Sequence, residues 1–454
     1  QGIQLHGVLK ENLQATISEI NQCLLTTLGA CGDVNRNVMC CPAPLYQNGV
    51  REQMQQFANA IAEHLAPRTG AYHEIWLNGE NVNGRKKRER EPIYGKVYLP
   101  RKFKVGISLP EDNCVDVYTQ DLGFVAIVEN GEIQGFNVLC GGGSGMTHGN
   151  KATFPCLGKP VCFIPADRVV PTAEAVVKLF RDHGDRSNRK HARLKYVMDE
   201  WGVAKFRREL KGYMGHPLKR PVKVEINGYE THVGAHEQGD GSWFYGVSVE
   251  SGRIKDEGDF RLRTALREIV QQWSPMIRLT PNQDILFCDL PKKAITAIRK
   301  TLKGHGVPLS EKLTPLRQLS MSCPAIPTCG LAITESERAL PGIIDDLEAG
   351  MKRLGLKSEE IAVRMTGCPN GCARPYQSDI GIVGRSGDKY TLFLGGNVIG
   401  DRLNQQFLDL VPREQIVPTL VVLLKHFKKN RKSGEGFGDF CDRVGQKELH
   451  ALLE

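Results

Sequence analysis

Four cysteines in two turn-rich loops constrain this chain more than any other feature. Between 322 and 374 the sequence reads SCPAIPTC, then a long insert, then TGCPNGCAR, with five residues between Cys323 and Cys329 and three between Cys368 and Cys372. Both pairs sit among Pro, Gly and Asn, residues that make turns, and loops are where ligands belong. Four thiolates from two loops can enclose an iron–sulfur cluster, because sulfide-bridged iron needs soft anionic ligands and backbone N–H groups turned toward sulfur. Zinc is the alternative, and cysteines without a ligand role the third reading. Structural zinc sites favour about two to four residues between paired cysteines, which suits the second pair and not the first.

The other ten cysteines, Cys23, Cys31, Cys40, Cys41, Cys114, Cys140, Cys156, Cys162, Cys288 and Cys441, are scattered and read as mostly structural. Such usage points to a reducing compartment. At 454 residues the chain exceeds one ordinary core, so two or three domains are expected. No run approaches the length and apolarity of a membrane span, and the opening residues do not read as a secretory signal. A net charge of +9 favours an acidic partner or an anionic substrate.

An internal repeat organises the rest. QGIQLHGVLKENLQATI at the start parallels QDILFCDLPKKAITAI from 283 onward, aligning Gln1 with Gln283. RNVMCCPAP (36–44) parallels the SMSCPAIP region, KFKVGISLP (102–110) parallels 377–384, and CGGGSG (140–145) parallels LGGNVIG (394–400). Two long repeats follow, not a solenoid. The second has a β-α lead-in that the first lacks, so an N-terminally shortened chain is expected.

Leu9, Leu13, Ile17, Ile20 and Leu24 recur at helical spacing after a strand-like opening, as do Met54, Phe57, Ile61 and Leu65, and Leu262, Leu266, Ile269 and Trp273. Leu194, Val197 and Trp201 stripe a helix whose other faces carry Arg189, Lys190, Arg193 and Lys195. Asn130-Gly131 and Asn227-Gly228 between apolar runs predict hairpins, and a strand is expected near 284–288. Helices intermixed with mainly antiparallel strands give an α+β fold.

The cysteine segments together resemble the signature of the siroheme-dependent sulfite and nitrite reductases. The resemblance implies two pseudo-repeated siroheme/Fe-S domains plus ferredoxin-like half domains: 1–28 as the remnant of the first half domain, 29–220 as the first repeat, 221–310 as the second half domain and 311–454 as the repeat carrying the cluster. It implies that Cys323, Cys329, Cys368 and Cys372 hold a [4Fe–4S] cluster and that Cys372 also ligates siroheme iron.

Lys102 and Lys104 alternate on one strand and so present two ammonium groups to one spot; a solvated strand face is the plain reading. The resemblance makes them, with Arg36, the cations that hold the anion above the siroheme. The resemblance places a further arginine of that shell in the family's N-terminal part, which is expected to be missing here. Gln4 and His6, Asn370 and Gln283 correspond to siroheme contacts, although a histidine such as His6 is more often a core or turn residue. GGGSGMTHGNK (141–151) fits neither dinucleotide nor P-loop patterns, and its glycines suit close backbone approach to the macrocycle.

NRNVMCCPAP resembles the sulfite branch more than the nitrite branch, and HEQGDG with SGRI resembles the ferredoxin-dependent type. The expectation is a monomeric ferredoxin–sulfite reductase of the cytoplasm or plastid stroma, with sulfite as substrate. Ferredoxin–nitrite reductase is the alternative within the family, and a zinc-stabilised basic binding protein without redox activity the alternative outside it. The basic runs RKKRER (85–90) and KHFKKNRK (425–432) are either solvated charge or a docking surface for acidic ferredoxin. No zinc-finger or RNP-like motif supports nucleic-acid binding.

Overall fold

The computed structural model describes residues 2–29, 32–70, 72, 76–77, 80–81 and 89–454, the backbone alone at 76–77 and 80–81. Gln1, Cys31 and the 85–88 part of the first basic run lie outside the described residues.

Residues 2–9 form neither helix nor strand, unlike the strand expected there, and α1 (Leu13–Gln22) buries no residue. Leu24 falls outside that helix, in the left-handed region at φ 59°. With no packed sheet neighbour, an apolar stripe at helical spacing is free to make a helix, and nothing holds the preceding residues extended.

The first repeat runs β1 (Asn35–Met39), α2 (Val50–His64), β2 (Phe103–Ser108), β3 (Leu122–Glu129), β4 (Glu132–Cys140), β5 (Lys159–Pro165), α3 (Val169–His183) and α4 (Leu194–Met214). The strands form one sheet in chain order, β1, β2 and β3 parallel and then β4 and β5 antiparallel. Alternation along β2 sends Phe103, Val105 and Ile107 into the core with Ile61, Val176 and Phe180, which leaves Lys102 and Lys104 on the opposite face. Asn130 and Gly131, at φ 53° and 78°, turn β3 into β4 as expected.

Next come β6 (Gly234–Glu237), β7 (Trp243–Val247), α5 (Leu262–Trp273), β8 (Met276–Leu279), β9 (Ile285–Leu290) and α6 (Lys292–Gly304). They make an antiparallel sheet in the order β8-β9-β7-β6, with Leu262, Leu266 and Ile269 of α5 and Ile298 and Leu302 of α6 buried against it. The hairpin expected at Asn227-Gly228 does not form. Asn227 N–H bonds to Pro110 O (2.8 Å) and Gly228 O accepts from Asn113 N–H (2.9 Å), so these backbone groups are taken by another segment.

The second repeat contains β10 (Met321–Ser322), α7 (Leu340–Leu354), β11 (Val363–Thr366), β12 (Ile380–Ser386), β13 (Lys389–Leu394), β14 (Gln405–Pro412) and α8 (Arg413–Asn430). Its sheet repeats the first: three parallel strands, then two antiparallel. The shared topology corrects one pairing read from the sequence. The counterpart of β2 is β11, not the 377–384 segment, which lies at β12 and answers to β3. The strand β11 is only four residues long, too short to stand out as a period-two run. The glycine segments do match: Gly142 and Gly396 each follow the fourth strand, and a Cβ on either would meet a backbone carbonyl within 2.5 Å.

Candidate functional site

Strands β10 and β11 lie side by side and both end in cysteine loops, so the sheet brings together residues forty positions apart. Cys323 N–H bonds to Met365 O (3.2 Å), and Gly367 N–H points at the Cys323 sulfur (3.3 Å). Gly367 O accepts from Ile333 N–H and Thr334 N–H, which folds the Cys329 loop back onto the Cys368 loop. Burial pushes the Cys323 thiol up to about 11, with charge on Cys372 and Cys368 adding to the rise. Burial likewise raises Cys368, against hydrogen bonds from Asn370 and with Cys372 and Cys329 adding to the shift. The four sulfurs therefore lie within electrostatic range of one another. Cys323 and Cys368 are buried and Cys329 partly so, whereas Cys372 and Asn370 are exposed.

The glycine loop of the first repeat rests on this site. Met146 N–H bonds to Pro369 O (3.0 Å), and a Cβ at Gly145 would sit 3.3 Å from Asn370 O. The expectation that Lys195 rides on a charged helix face is wrong. It is buried and donates to Gly143 O (3.2 Å), Gly145 O (2.6 Å) and Phe154 O, holding the loop from beneath. Burial first, then Arg193, lowers its ammonium to about 7.

Cations converge on the same side. Burial and Arg193 lower Lys102, while the charge of Cys372 pulls it the other way. Burial, Lys102, Arg374 and Arg193 bring Lys104 down to about 8. Arg36 is exposed, and Arg101 has its guanidinium lowered by burial and by the charges of Arg189, Arg193 and Arg36. Arg193 is fixed by a forked pair to Asp121 (2.9 and 3.0 Å). Nothing in the sequence separates Arg101 and Arg193 from other surface arginines, so their place in this bank is visible only in the fold.

Gln283 caps β10 by donating to Ser322 O (2.8 Å). Its Oε1, Ser322 Oγ and Thr366 Oγ1 are buried without a hydrogen-bond partner among the described residues. Cysteine sulfurs flanked by N–H donors, orphaned polar atoms beside them and an adjoining bank of cations suit the iron–sulfur cluster and anionic siroheme that the resemblance implies. Gln4 and His6 are exposed and make none of the side-chain hydrogen bonds found among the described residues. The basic run at 425–432 covers the end of α8 and the two residues after it; Lys425, Lys428 and Lys429 on the helix and Lys432 beyond it are exposed, and Phe427 is core.

A second cluster escapes the sequence reading. Cys41, Asp112, Cys114 and His232 are buried with their ligand atoms within 4.8 Å of one another. Cys41 and Cys114 read as structural, and the only sequence signal is the Cys-Pro-Ala shared by 41–43 and 323–325.

Comparison with known proteins bears on the cysteine loops. The family described as the nitrite and sulphite reductase 4Fe-4S domain matches residues 56–218 and 321–454, and the nitrite/sulfite reductase ferredoxin-like half domain matches 235–305. A sulfite reductase [NADPH] hemoprotein beta-component of Staphylococcus saprophyticus is 47% identical over 98% of this chain and 78% of its own length. A sulfite reductase [ferredoxin] of Synechococcus elongatus is 45% identical over 100% of this chain and 76% of its own. Among solved structures, the Mycobacterium tuberculosis NirA protein superposes with a TM-score of 0.76 at 25% identity, covering 97% of this chain and 76% of that one.

Proposed function

This chain belongs to the nitrite and sulfite reductase family, and from that premise we propose that it catalyses the six-electron reduction of sulfite to sulfide with electrons from ferredoxin. Its cofactors are those of the family, a siroheme and a 4Fe–4S cluster. In this reading Cys323, Cys329, Cys368 and Cys372 hold the cluster, Cys372 also ligates the siroheme, and Asn370, Gln283, Gln4 and His6 lie at the macrocycle. The observation that carries it is that Cys372 is the exposed member of the four and faces the charge of Lys102.

When bound, the two cofactors store electrons beside the substrate and pass them to sulfur. The chain binds and orients the anion. Arg36, Lys102 and Lys104 offer three positive donors to an oxyanion, and their charge stabilises negative charge as it develops. Each oxygen that leaves as water needs protons, and an ammonium near 8, as at Lys104, exchanges them with solvent near neutral pH.

The choice of ferredoxin rests on the HEQGDG and SGRI segments, on the cyanobacterial relative and on the exposed lysines at the end of α8. A monomer in a reducing compartment, cytoplasm or plastid stroma, completes the proposal; among the described residues the cysteines are free thiols. Among the described residues no helix is long and apolar enough to cross a membrane.

The test is a steady-state assay of the holoenzyme with sulfite or nitrite, supplied by reduced ferredoxin or by an NADPH-dependent flavoprotein. The proposal requires a higher kcat/KM for sulfite than for nitrite and turnover with ferredoxin that falls steeply with salt, since screening confines surface charge to about 8 Å near physiological ionic strength. Preference for nitrite, or turnover with the flavoprotein alone, overturns it.

A further inference from the structure

The cluster in the first repeat occupies the place that the cysteine loops occupy in the second. Asp-aliphatic-Gly leads into both third strands, at 121–123 and 379–381, and each strand pairs in parallel with the second strand of its sheet: Gly106 with Gly123, Arg364 with Gly381. One strand further, Met39 pairs with Gly106 and Met321 with Arg364. Two residues beyond each methionine stands a cysteine, Cys41 in one repeat and Cys323 in the other. Counting seven back from Asp121 and Asp379 gives Cys114 and Cys372, and nine back gives Asp112 and Asn370. Pro110 stands where Cys368 stands, and in its neighbourhood a histidine from outside the repeat, His232, comes in.

We propose that Cys41, Asp112, Cys114 and His232 form a second metal centre in this protein, a closed four-ligand site for a single zinc ion. Two sulfurs, an imidazole nitrogen and a carboxylate oxygen are the donor types of structural zinc, and a four-coordinate ion needs them gathered as they are here. The residues come from three separate places, the end of β1, the turn before β3 and the segment entering β6, so the ion ties the half domain to the first repeat. His232 Nε2 lies 3.2 Å from Cys41 Sγ and 3.0 Å from Asp112 Oδ2. His232 also holds a left-handed backbone at φ 60°, a cost that tertiary contacts must offset.

The surrounding charge suits the ion. Two thiolates and a carboxylate carry three negative charges; a divalent ion and the Arg51 guanidinium, which donates to Cys41 Sγ and to Asp112 Oδ2 (2.7 Å), carry three positive ones. Arg51 then serves as the outer hydrogen-bond donor that fixes two ligands. Binding forms two Zn–S bonds, one Zn–N and one Zn–O, and any protons on the sulfurs and imidazole pass to solvent. This centre is separate from the cysteine loops at 323–372 and does not depend on which anion the enzyme reduces.

Elemental analysis and zinc-edge X-ray absorption of the holoenzyme decide the matter. Dialysed against micromolar Zn2+ and then buffer, the wild type retains about one zinc per chain, with two sulfur neighbours at about 2.3 Å and two lighter ones near 2.0–2.2 Å. Cys114→Ser and His232→Gln each lower the zinc content to below about a tenth per chain, whereas Cys441→Ser, buried in the core of the second repeat, keeps it. Iron content is the internal control, since loss of zinc at constant iron separates this centre from the cluster. If the variants fail to fold, the wild-type absorption edge decides alone. No retained zinc, an edge with only oxygen and nitrogen neighbours, or zinc undiminished in Cys114→Ser overturns the proposal.

Discussion

Asp116 and Arg374 hold the same position in the two repeats and are paired with each other. Each lies five residues before the aspartate that leads into the third strand, each adopts a left-handed backbone, at φ 50° and 56°, and each caps a single 3-10 turn. Asp116 also accepts from Arg364 (2.9 and 3.2 Å), so one buried carboxylate faces two buried guanidinium groups across the seam between the repeats. The pseudo-symmetry of the fold thus closes on an ion pair whose halves have opposite charge.

Removing that carboxylate should unlock the seam. Asp116→Asn leaves Arg364 and Arg374 buried without a counter-charge and should cost about 3–5 kcal/mol in urea unfolding. Arg385→Gln, which breaks the partly exposed pair with Asp409 (3.2 Å), should cost less than about 1 kcal/mol. Equal losses would show that the seam is not held electrostatically.

Cys372→Ser tests the thiol that faces the cations. A hydroxyl is not ionised near neutral pH and is a poor ligand for soft iron–sulfur centres. The variant should lose sulfite reduction and the visible spectrum of coupled cofactors, whereas Cys441→Ser, in the core of the second repeat, should keep both. A normal spectrum and turnover in Cys372→Ser would remove this thiol from the site.

Anion binding should weaken with alkalinity. Lys104 has a depressed value of about 8, so its charge is present below that pH and lost as pH rises through it. The KM for sulfite should climb across this range. Lys104→Arg, whose guanidinium stays charged, should flatten the climb. A profile unchanged by that substitution would assign the dependence to another group.

Asp284 gives a stability profile of opposite origin. Burial raises its carboxyl to about 7 against hydrogen bonds from Val249 and Ser248. Between about pH 4 and 7 the folded chain holds a proton that the unfolded chain has released, so stability falls as pH rises, by up to about 1.4 kcal/mol per pH unit. Asp284→Asn should abolish the slope in denaturation midpoints taken across that window.

Local signals in the sequence carry much of the fold and of the cysteine site. The spacing of Cys323, Cys329, Cys368 and Cys372 is one, the Asn130-Gly131 turn another, and the stripes that form α2 and α5 are two more. What escapes reading depends on distant partners. Asn227-Gly228 has the chemistry of a hairpin, yet Pro110 and Asn113 claim its hydrogen bonds. Lys195 reads as surface charge because its acceptors are carbonyls some fifty residues away in a loop. The Cys41 cluster draws on residues 41 to 232, a separation that no motif spans. The parallel between 102–110 and 377–384 slips by one strand because the true counterpart of β2 offers only four residues of pattern.

The bond from Met146 N–H to Pro369 O has a consequence for electron transfer. It locks the glycine loop of one repeat to the cysteine loop of the other, and Lys195 pins that loop from below. In the proposed site, a cradle braced from both halves would shift little when the charge inside it changes, so each arriving electron would meet nearly the same surroundings as the last. Successive reductions at one place call for such stiffness, and duplication supplies it by letting each copy serve as the other's wall.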